Sequence, residues 1–294
     1  MTRYEPAIDV AAITAIDTHV HVQSDSTGRH SLPTRLLDAM DAYFGQGAPA
    51  LSVDELADYY RSRSMAAVVF TVDARTAMDT IPNSSEEIAE GAARHPDVLI
   101  PFGSVDPHRG ADAIEHAQRL AADYGVRGFK FHPSVQAFDP SDPAFSDLWR
   151  ALEELALPVV IHTGQTGVGA GLPGGGGIKL RYSNPMLIDD VAADYPKLPI
   201  ILAHPSVPWQ DEALAMATHK ANVSIDLSGW SPKYFSPALV RQAGTILQDK
   251  VLFGSDYPAL TPDRWLSDFE RLEIKDAARP KILKDNAVRL LGLG

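Results

Sequence analysis

Ala15-Ile16-Asp17-Thr18-His19-Val20-His21-Val22 is the stretch whose reading decides the fold. Apolar Ile13 and Ile16 and β-branched Thr18, Val20 and Val22 favour an extended strand. In a strand, residues two apart share a face, so His19 and His21 project side by side. Two imidazoles at that spacing can grip one metal ion. The competing reading is two ordinary polar residues in a half-buried strand, and the remainder of the chain must decide between the two.

Seven further β-rich runs follow this first one, Ile13–Val22: Met65–Asp73, Val98–Asp106, Val126–Pro133, Pro158–Thr163, Pro199–His204, Asn222–Ser228 and Lys250–Asp256. Most are near-continuous apolar runs, as expected when both faces of a parallel sheet are buried. Amphipathic stretches lie between them. Ser52-Val53-Asp54-Glu55 and Ser84-Ser85-Glu86-Glu87 read as capping boxes. Ala111–Tyr124, Phe145–Leu157, Gln210–Lys220, Pro237–Gln248 and Arg264–Leu272 carry helical spacing, and Asn184-Pro185 opens another helix. A last helix, Pro280–Leu291, is expected to pack under the sheet. This alternation predicts an α/β fold of the (β/α)₈ TIM-barrel type, one domain over residues 1–294. The rival, a doubly wound open sheet, lacks a Gly-x-Gly-x-x-Gly after its first strand. An insertion at about residues 23–51 sits at the C-terminal end of the first strand, where barrel enzymes build their sites. The Gly-rich segment 164–177 reads either as a lid or phosphate cradle or as a surface loop.

Composition narrows the chemistry. Hydrophobic residues make up 45% and charged residues 22% of the chain, an ordinary balance for a globular protein. A net charge of -12 leaves no basic footprint for nucleic acid. With no cysteine, any metal must be held by His, Asp, Glu or Lys. No apolar run approaches the ~20 residues of a membrane span, and residues 1–10 lack a signal-peptide pattern. The expected setting is cytoplasmic, with no membrane partner.

Three later strands end alike, each placing an ionisable residue just after an apolar run: His162, His204 and Asp256. Singly, either histidine could be structural and Asp256 could cap a helix. In a barrel all three converge with His19 and His21 on one mouth. His19 and His21 from the first strand, His162 from the fifth and Asp256 from the eighth give a nitrogen-rich site with one oxygen ligand, which suits zinc or another transition metal.

Five segments carry a family resemblance. Asp17-Thr18-His19-Val20-His21, Gly128-Phe129-Lys130-Phe131-His132-Pro133, Ile161-His162-Thr163-Gly164, Leu202-Ala203-His204-Pro205 and Phe253-Gly254-Ser255-Asp256-Tyr257-Pro258 resemble the amidohydrolase superfamily. The branch is the amidohydrolase-2 group, with the aminocarboxymuconate-semialdehyde decarboxylase relatives. The resemblance implies that His19, His21, His162 and Asp256 ligate one divalent metal, expected to be Zn²⁺. It implies His204 as an acid/base or transition-state stabiliser and Asp256 as ligand and proton shuttle. A bound metal lowers the pKa of its water to about 7. Lys130 is open between a carboxylated bridge to a second metal, a substrate contact and a structural ion pair. His132, Arg181, Tyr182, Trp209 and Trp230 are further substrate-binding candidates, with loop packing as their alternative. Lys233 and Tyr234 belong to the same loop.

Ser228-Gly229-Trp230-Ser231-Pro232-Lys233-Tyr234-Phe235, with Pro208-Trp209 upstream, is similar to a subgroup of 4-hydroxyphenyl-β-ketoacyl-CoA hydrolases. That resemblance implies hydrolysis of a carbon–carbon bond in an aromatic β-ketoacyl-CoA, with a CoA thioester as substrate. The alternative from the same family is a metal-dependent, non-oxidative decarboxylase of an aromatic or muconate-type acid. A small carbonyl or carboxylate compound is the expected partner in either case, and the family resemblance implies a homo-oligomer.

Overall fold

The computed structural model describes residues 2–45 and 48–294. Among these residues the apolar runs form eight strands: β1 (Ala15–His21), β2 (Met65–Phe70), β3 (Leu99–Pro101), β4 (Phe129–Phe131), β5 (Val159–His162), β6 (Ile200–Ala203), β7 (Val223–Asp226) and β8 (Val251–Leu252). All pairs are parallel, in the orders β1-β2-β3 and β4-β5-β6-β7-β8. Two bridges close the ring. Gly103 pairs with Phe129 between β3 and β4, and Val20 pairs with Tyr257 beyond the end of β8. The fold is the (β/α)₈ barrel that the alternation predicts. The regular strands are shorter than the apolar runs, because each run continues as a loop at the barrel rim.

Strand parity sorts the core into an outer and an inner layer. Val159 and Ile161 of β5 and Ile200 and Leu202 of β6 face outward into one cluster with Trp149, Leu152 and Leu214 from the surrounding helices. Val160, Ile201 and Leu252 face inward with Ile16, Val68 and Ile100. Ala287 and Leu291 of the final helix complete that inner cluster from below. The expected helix over Pro280–Leu291 is a π turn (Lys281–Asp285) followed by an α-helix (Asn286–Leu291). Lys284 donates to the carbonyls of Val10 and Ile13, tying this segment to the N-terminal arm.

β1 departs from simple alternation. Its register against β2 steps from Asp17↔Ala67 to Val20↔Val69, so one extra residue is accommodated between them. This β-bulge explains how Ile16 and the His19/His21 pair all face the interior while Val20 faces the outer core. The extra length is anchored across the barrel seam. Thr18 donates its N–H and hydroxyl to Phe253 O, at 2.9 and 2.8 Å. Asp17 accepts from the N–H groups of His19 and Ser255 and from the Tyr60 hydroxyl. Burial pushes the Asp17 carboxyl up to about 6.

The capping box at Ser52 and Glu55 forms with both reciprocal bonds. At Ser84 only half of the box forms. Ser84 accepts from the Glu87 N–H, but the Glu87 carboxylate accepts from Ser26 in the insertion after β1. The insertion is thereby fastened to the helix Ser85–Arg94. Its own helix, Thr34–Phe44, presents Leu36 and Met40 to Val168, Leu172 and Ile178 of the Gly-rich segment. Both irregular segments roof the C-terminal rim together with Val72, Ala74 and Val135. No helix among the described residues is long and apolar enough to cross a membrane.

Ile201 is 1% exposed at the centre of the inner layer, whereas Ile246 is 66% exposed. Ile201→Ala is expected to lower unfolding stability by about 2–5 kcal/mol. Ile246→Ala is expected to stay within about 0.5 kcal/mol of the parent. Denaturant titration of the two variants measures both.

Candidate metal centre

Above the apolar layer, the same inward positions become polar. Lys130 and His132 on and after β4, His162 on β5 and Asp226 on β7 keep the parity of their strands. His204 breaks it. Ala203 already faces inward, so His204 should point out; instead its backbone adopts φ 73° and swings the ring into the barrel. Asp256 likewise sits at φ 70°. Left-handed backbone at non-glycine residues costs about 1–3 kcal/mol each and clusters at functional sites.

The ligand atoms of His19, His21 and Asp256 lie within 4.8 Å of one another. Asp256 Oδ1 is 3.1 Å from His21 Nε2 and 3.4 Å from His19 Nε2. A second group on the same criterion joins His19, His204 and Asp226. His162 stands one step away, with its Nδ1 2.9 Å from His204 Nε2. The His162 Nε2 atom is buried and has no hydrogen-bond partner. Two imidazoles with a carboxylate, and an orphaned imidazole nitrogen one histidine away from the second group, fit a divalent cation.

Lys130 is fully buried, its Nζ 3.0 Å from His19 Nε2 and 5.0 Å from the centre of the Phe70 ring. His132 stacks on His162 with ring centres 3.7 Å apart. It accepts the Val135 N–H at Nδ1, which places its own proton on Nε2, toward the Thr166 hydroxyl of the Gly-rich segment. The other candidates lie outside this cluster. Arg181 is exposed and rests over the Tyr182 ring, and Trp209 and Trp230 are half-buried in the loops after β6 and β7. Lys233 sits over the ring of Tyr234, itself 66% exposed, on a surface turn.

Asp226 and Ser228 are the functional side chains that the sequence reading passes over. Asp226 Oδ2 is 2.9 Å from His19 Nδ1, and its Oδ1 accepts from the N–H groups of Ser228 and His204. The Ser228 hydroxyl contacts Asp226 Oδ1, His204 Nδ1 and His19 Nδ1. The signal was available, because Val223-Ser224-Ile225-Asp226 ends an apolar run on an ionisable residue, as the other three strand ends do.

Burial governs the electrostatics. It lowers the His19 imidazole to about 3, reinforced by the Lys130 charge and opposed by Asp226 and Asp256. Burial holds His132, His162 and His204 below the ordinary histidine range as well. These rings are therefore neutral at physiological pH, the state in which an imidazole ligates a metal. Burial lowers Lys130 to about 8, against the pull of Asp226 and Asp256. For Asp226 and Asp256, burial opposes ionisation, but their histidine neighbours outweigh it and hold both carboxyls below the usual range.

Comparison with known proteins places this geometry in a family. Residues 16–293 match the amidohydrolase family model. The γ-resorcylate decarboxylase of Rhizobium sp. (strain MTP-10005) is 24% identical over 259 residues, covering 75% of this chain and 78% of that protein. Among solved structures, a TIM-barrel protein from Bordetella bronchiseptica is 24% identical with a TM-score of 0.78, covering 95% of this chain and 98% of its own. The 5-carboxyvanillate decarboxylase of Novosphingobium aromaticivorans, solved with manganese and 4-hydroxy-3-methoxy-5-nitrobenzoic acid, is 15% identical with a TM-score of 0.68, covering 99% of each chain. At these identities the structural likenesses carry the fold. The chain belongs to the amidohydrolase family and is a metal-binding TIM-barrel enzyme related to aromatic-acid decarboxylases.

The expectation of Zn²⁺ is corrected by the structures of 5-carboxyvanillate decarboxylase from Novosphingobium aromaticivorans and of a dihydroxybenzoic acid decarboxylase from Polaromonas sp. JS666, which hold manganese. The zinc reading counted nitrogen donors at strand ends. The same donor set carries the Asp256 carboxylate, an oxygen donor of the kind that suits the harder manganese ion.

Two glycines allow this packing. A Cβ on Gly229 would lie 2.7 Å from His204 Nδ1, and one on Gly254 would lie 3.0 Å from His19 Cβ and 2.9 Å from Ser228 Cβ. Gly254→Ala must therefore displace His19 or Ser228. It is expected to cost about 1–3 kcal/mol of stability. Divalent-metal content of the folded variant, measured by elemental analysis, is expected to fall well below that of the parent.

Proposed function

We propose that this member of the amidohydrolase family is a metal-dependent, non-oxidative decarboxylase of a hydroxylated aromatic carboxylic acid. The observation that carries the reading is a buried ammonium, Lys130, set against the His19–His21–Asp256 cluster. The names of the relatives support it, γ-resorcylate decarboxylase among them. The β-ketoacyl-CoA hydrolase reading gains nothing from those relatives. The stretch that prompted it has other duties here: Ser228 bonds Asp226, and Pro232–Tyr234 forms a surface turn.

His19, His21, His162 and Asp256 would hold the cation, for which Mn²⁺ is the proposed identity. When bound, it supplies positive charge that binds and orients anionic oxygens of the substrate. The rest of the chemistry falls to the chain. Lys130 offers a desolvated ammonium to the carboxylate or phenolate, where water competes least. Phe70 presents its ring beside Lys130 and His19 and walls the site. Asp256, partly exposed at the mouth, is the proton shuttle. It takes a proton from the substrate's acidic group and delivers it to the ring carbon that bears the carboxylate. The bond to the carboxyl carbon then breaks, its electron pair restores the aromatic ring, and carbon dioxide leaves.

The test uses Mn²⁺-loaded protein with 2,6-dihydroxybenzoate and related hydroxybenzoates in D₂O and, separately, in ¹⁸O-water. The expected products are carbon dioxide and a phenol carrying one deuterium at the vacated carbon. Asp256→Asn is expected to reduce turnover by about 10²-fold or more. A β-ketoacyl-CoA cleaved to an acid bearing solvent ¹⁸O, with no carbon dioxide from any aromatic acid, would overturn the proposal.

A further inference from the structure

We infer that Asp226 is a positioning residue that fixes the tautomers of three site histidines, His19 directly and His204 and His162 through Ser228. The consequence for metal binding rests on the reading of the site given above; the tautomers themselves do not.

Donors and acceptors fix where each proton of the uncharged rings sits. Asp226 is buried among donors and accepts from backbone N–H groups of Ser228 and His204. A carboxylate only accepts, so the Ser228 hydroxyl must donate its single proton to Asp226 Oδ1. The Ser228 oxygen then has only lone pairs for His204 Nδ1, 2.8 Å away, so that nitrogen carries a proton. An uncharged ring with its one proton on Nδ1 has a bare Nε2. That atom is 2.9 Å from His162 Nδ1, which must in turn be the donor. The proton order along the chain leaves His162 Nε2 with an exposed lone pair, and this is the buried nitrogen without a partner.

The other oxygen of Asp226 does the same in one step. Oδ2 lies 2.9 Å from His19 Nδ1, which must donate, so His19 Nε2 is bare. An independent contact agrees. Lys130 Nζ can only donate, and it is 3.0 Å from that same Nε2. Both ends of the network therefore give one assignment without contradiction. A ligating histidine held by a carboxylate on its other nitrogen is a recurrent device for orienting the ring. Here one carboxylate reaches a second ligand candidate through a hydroxyl and a third imidazole.

The test reads tautomers in metal-free wild-type protein labelled with ¹⁵N-histidine. Long-range ¹H–¹⁵N correlation distinguishes Nδ1–H from Nε2–H, with assignments from His→Gln variants. Nδ1–H is expected at His19, His204 and His162. Ser228→Ala is expected to release His204 and His162 into mixed tautomers while His19 stays Nδ1–H. Asp226→Asn is expected to disturb all three and to weaken Mn²⁺ binding, followed by the EPR signal of the free ion, by about 10–100-fold. Nε2–H at His162 or His204 in the wild type, or unchanged tautomers in Ser228→Ala, would overturn the inference. The expected tautomers in a wild type that takes up no Mn²⁺ would uphold the role of Asp226 and instead refute the metal reading.

Discussion

Ionisable side chains cannot be taken out of water singly, and the mouth of this barrel buries several at once. The solution is mutual. Neutral imidazoles stack and hydrogen-bond to one another, Asp226 gathers donors from two strands' ends, and Lys130 lies between His19 and Phe70. With the imidazoles neutral, Asp226 and Asp256 outnumber the Lys130 charge. The surplus is negative, and a divalent cation is the partner that such a cluster suits.

That demand reaches down into the backbone. His204 and Asp256 hold left-handed conformations, Gly229 and Gly254 give up side chains to let rings approach, and β1 takes a bulge to carry its two histidines. Each of these is locally unfavourable or irregular. The bulge and Asp256 are tied down by bonds across the seam between β1 and the end of β8, and His204 by its N–H to Asp226. The apolar layer below is regular by contrast and is closed by the terminal helix. Stability is thus concentrated beneath the site, and conformational cost within it.

What the amino-acid order discloses follows from the same division. The strands are legible because buried parallel strands must be apolar, and His162, His204 and Asp256 stand out because they end such runs. Asp226 ends one too, yet it hides beside the polar Ser224 and Ser228. The bulge is invisible in a pattern that alternates well on its own, and it reassigns Ile16 and Val20 to opposite faces. The inward turn of His204 depends on a φ angle that no side-chain pattern encodes. Glu87 shows how tertiary contacts overrule a local motif, giving its carboxylate to Ser26 rather than to its own helix. The metal's identity is not legible in the donor residues, because imidazole suits zinc and carboxylate suits manganese within one set.

Diffraction at the manganese absorption edge, from crystals grown with Mn²⁺, locates the cation. One anomalous peak is expected in the barrel mouth, bounded by His19, His21, His162 and Asp256. A peak elsewhere on the barrel, or none there at full Mn²⁺ saturation, would contradict it.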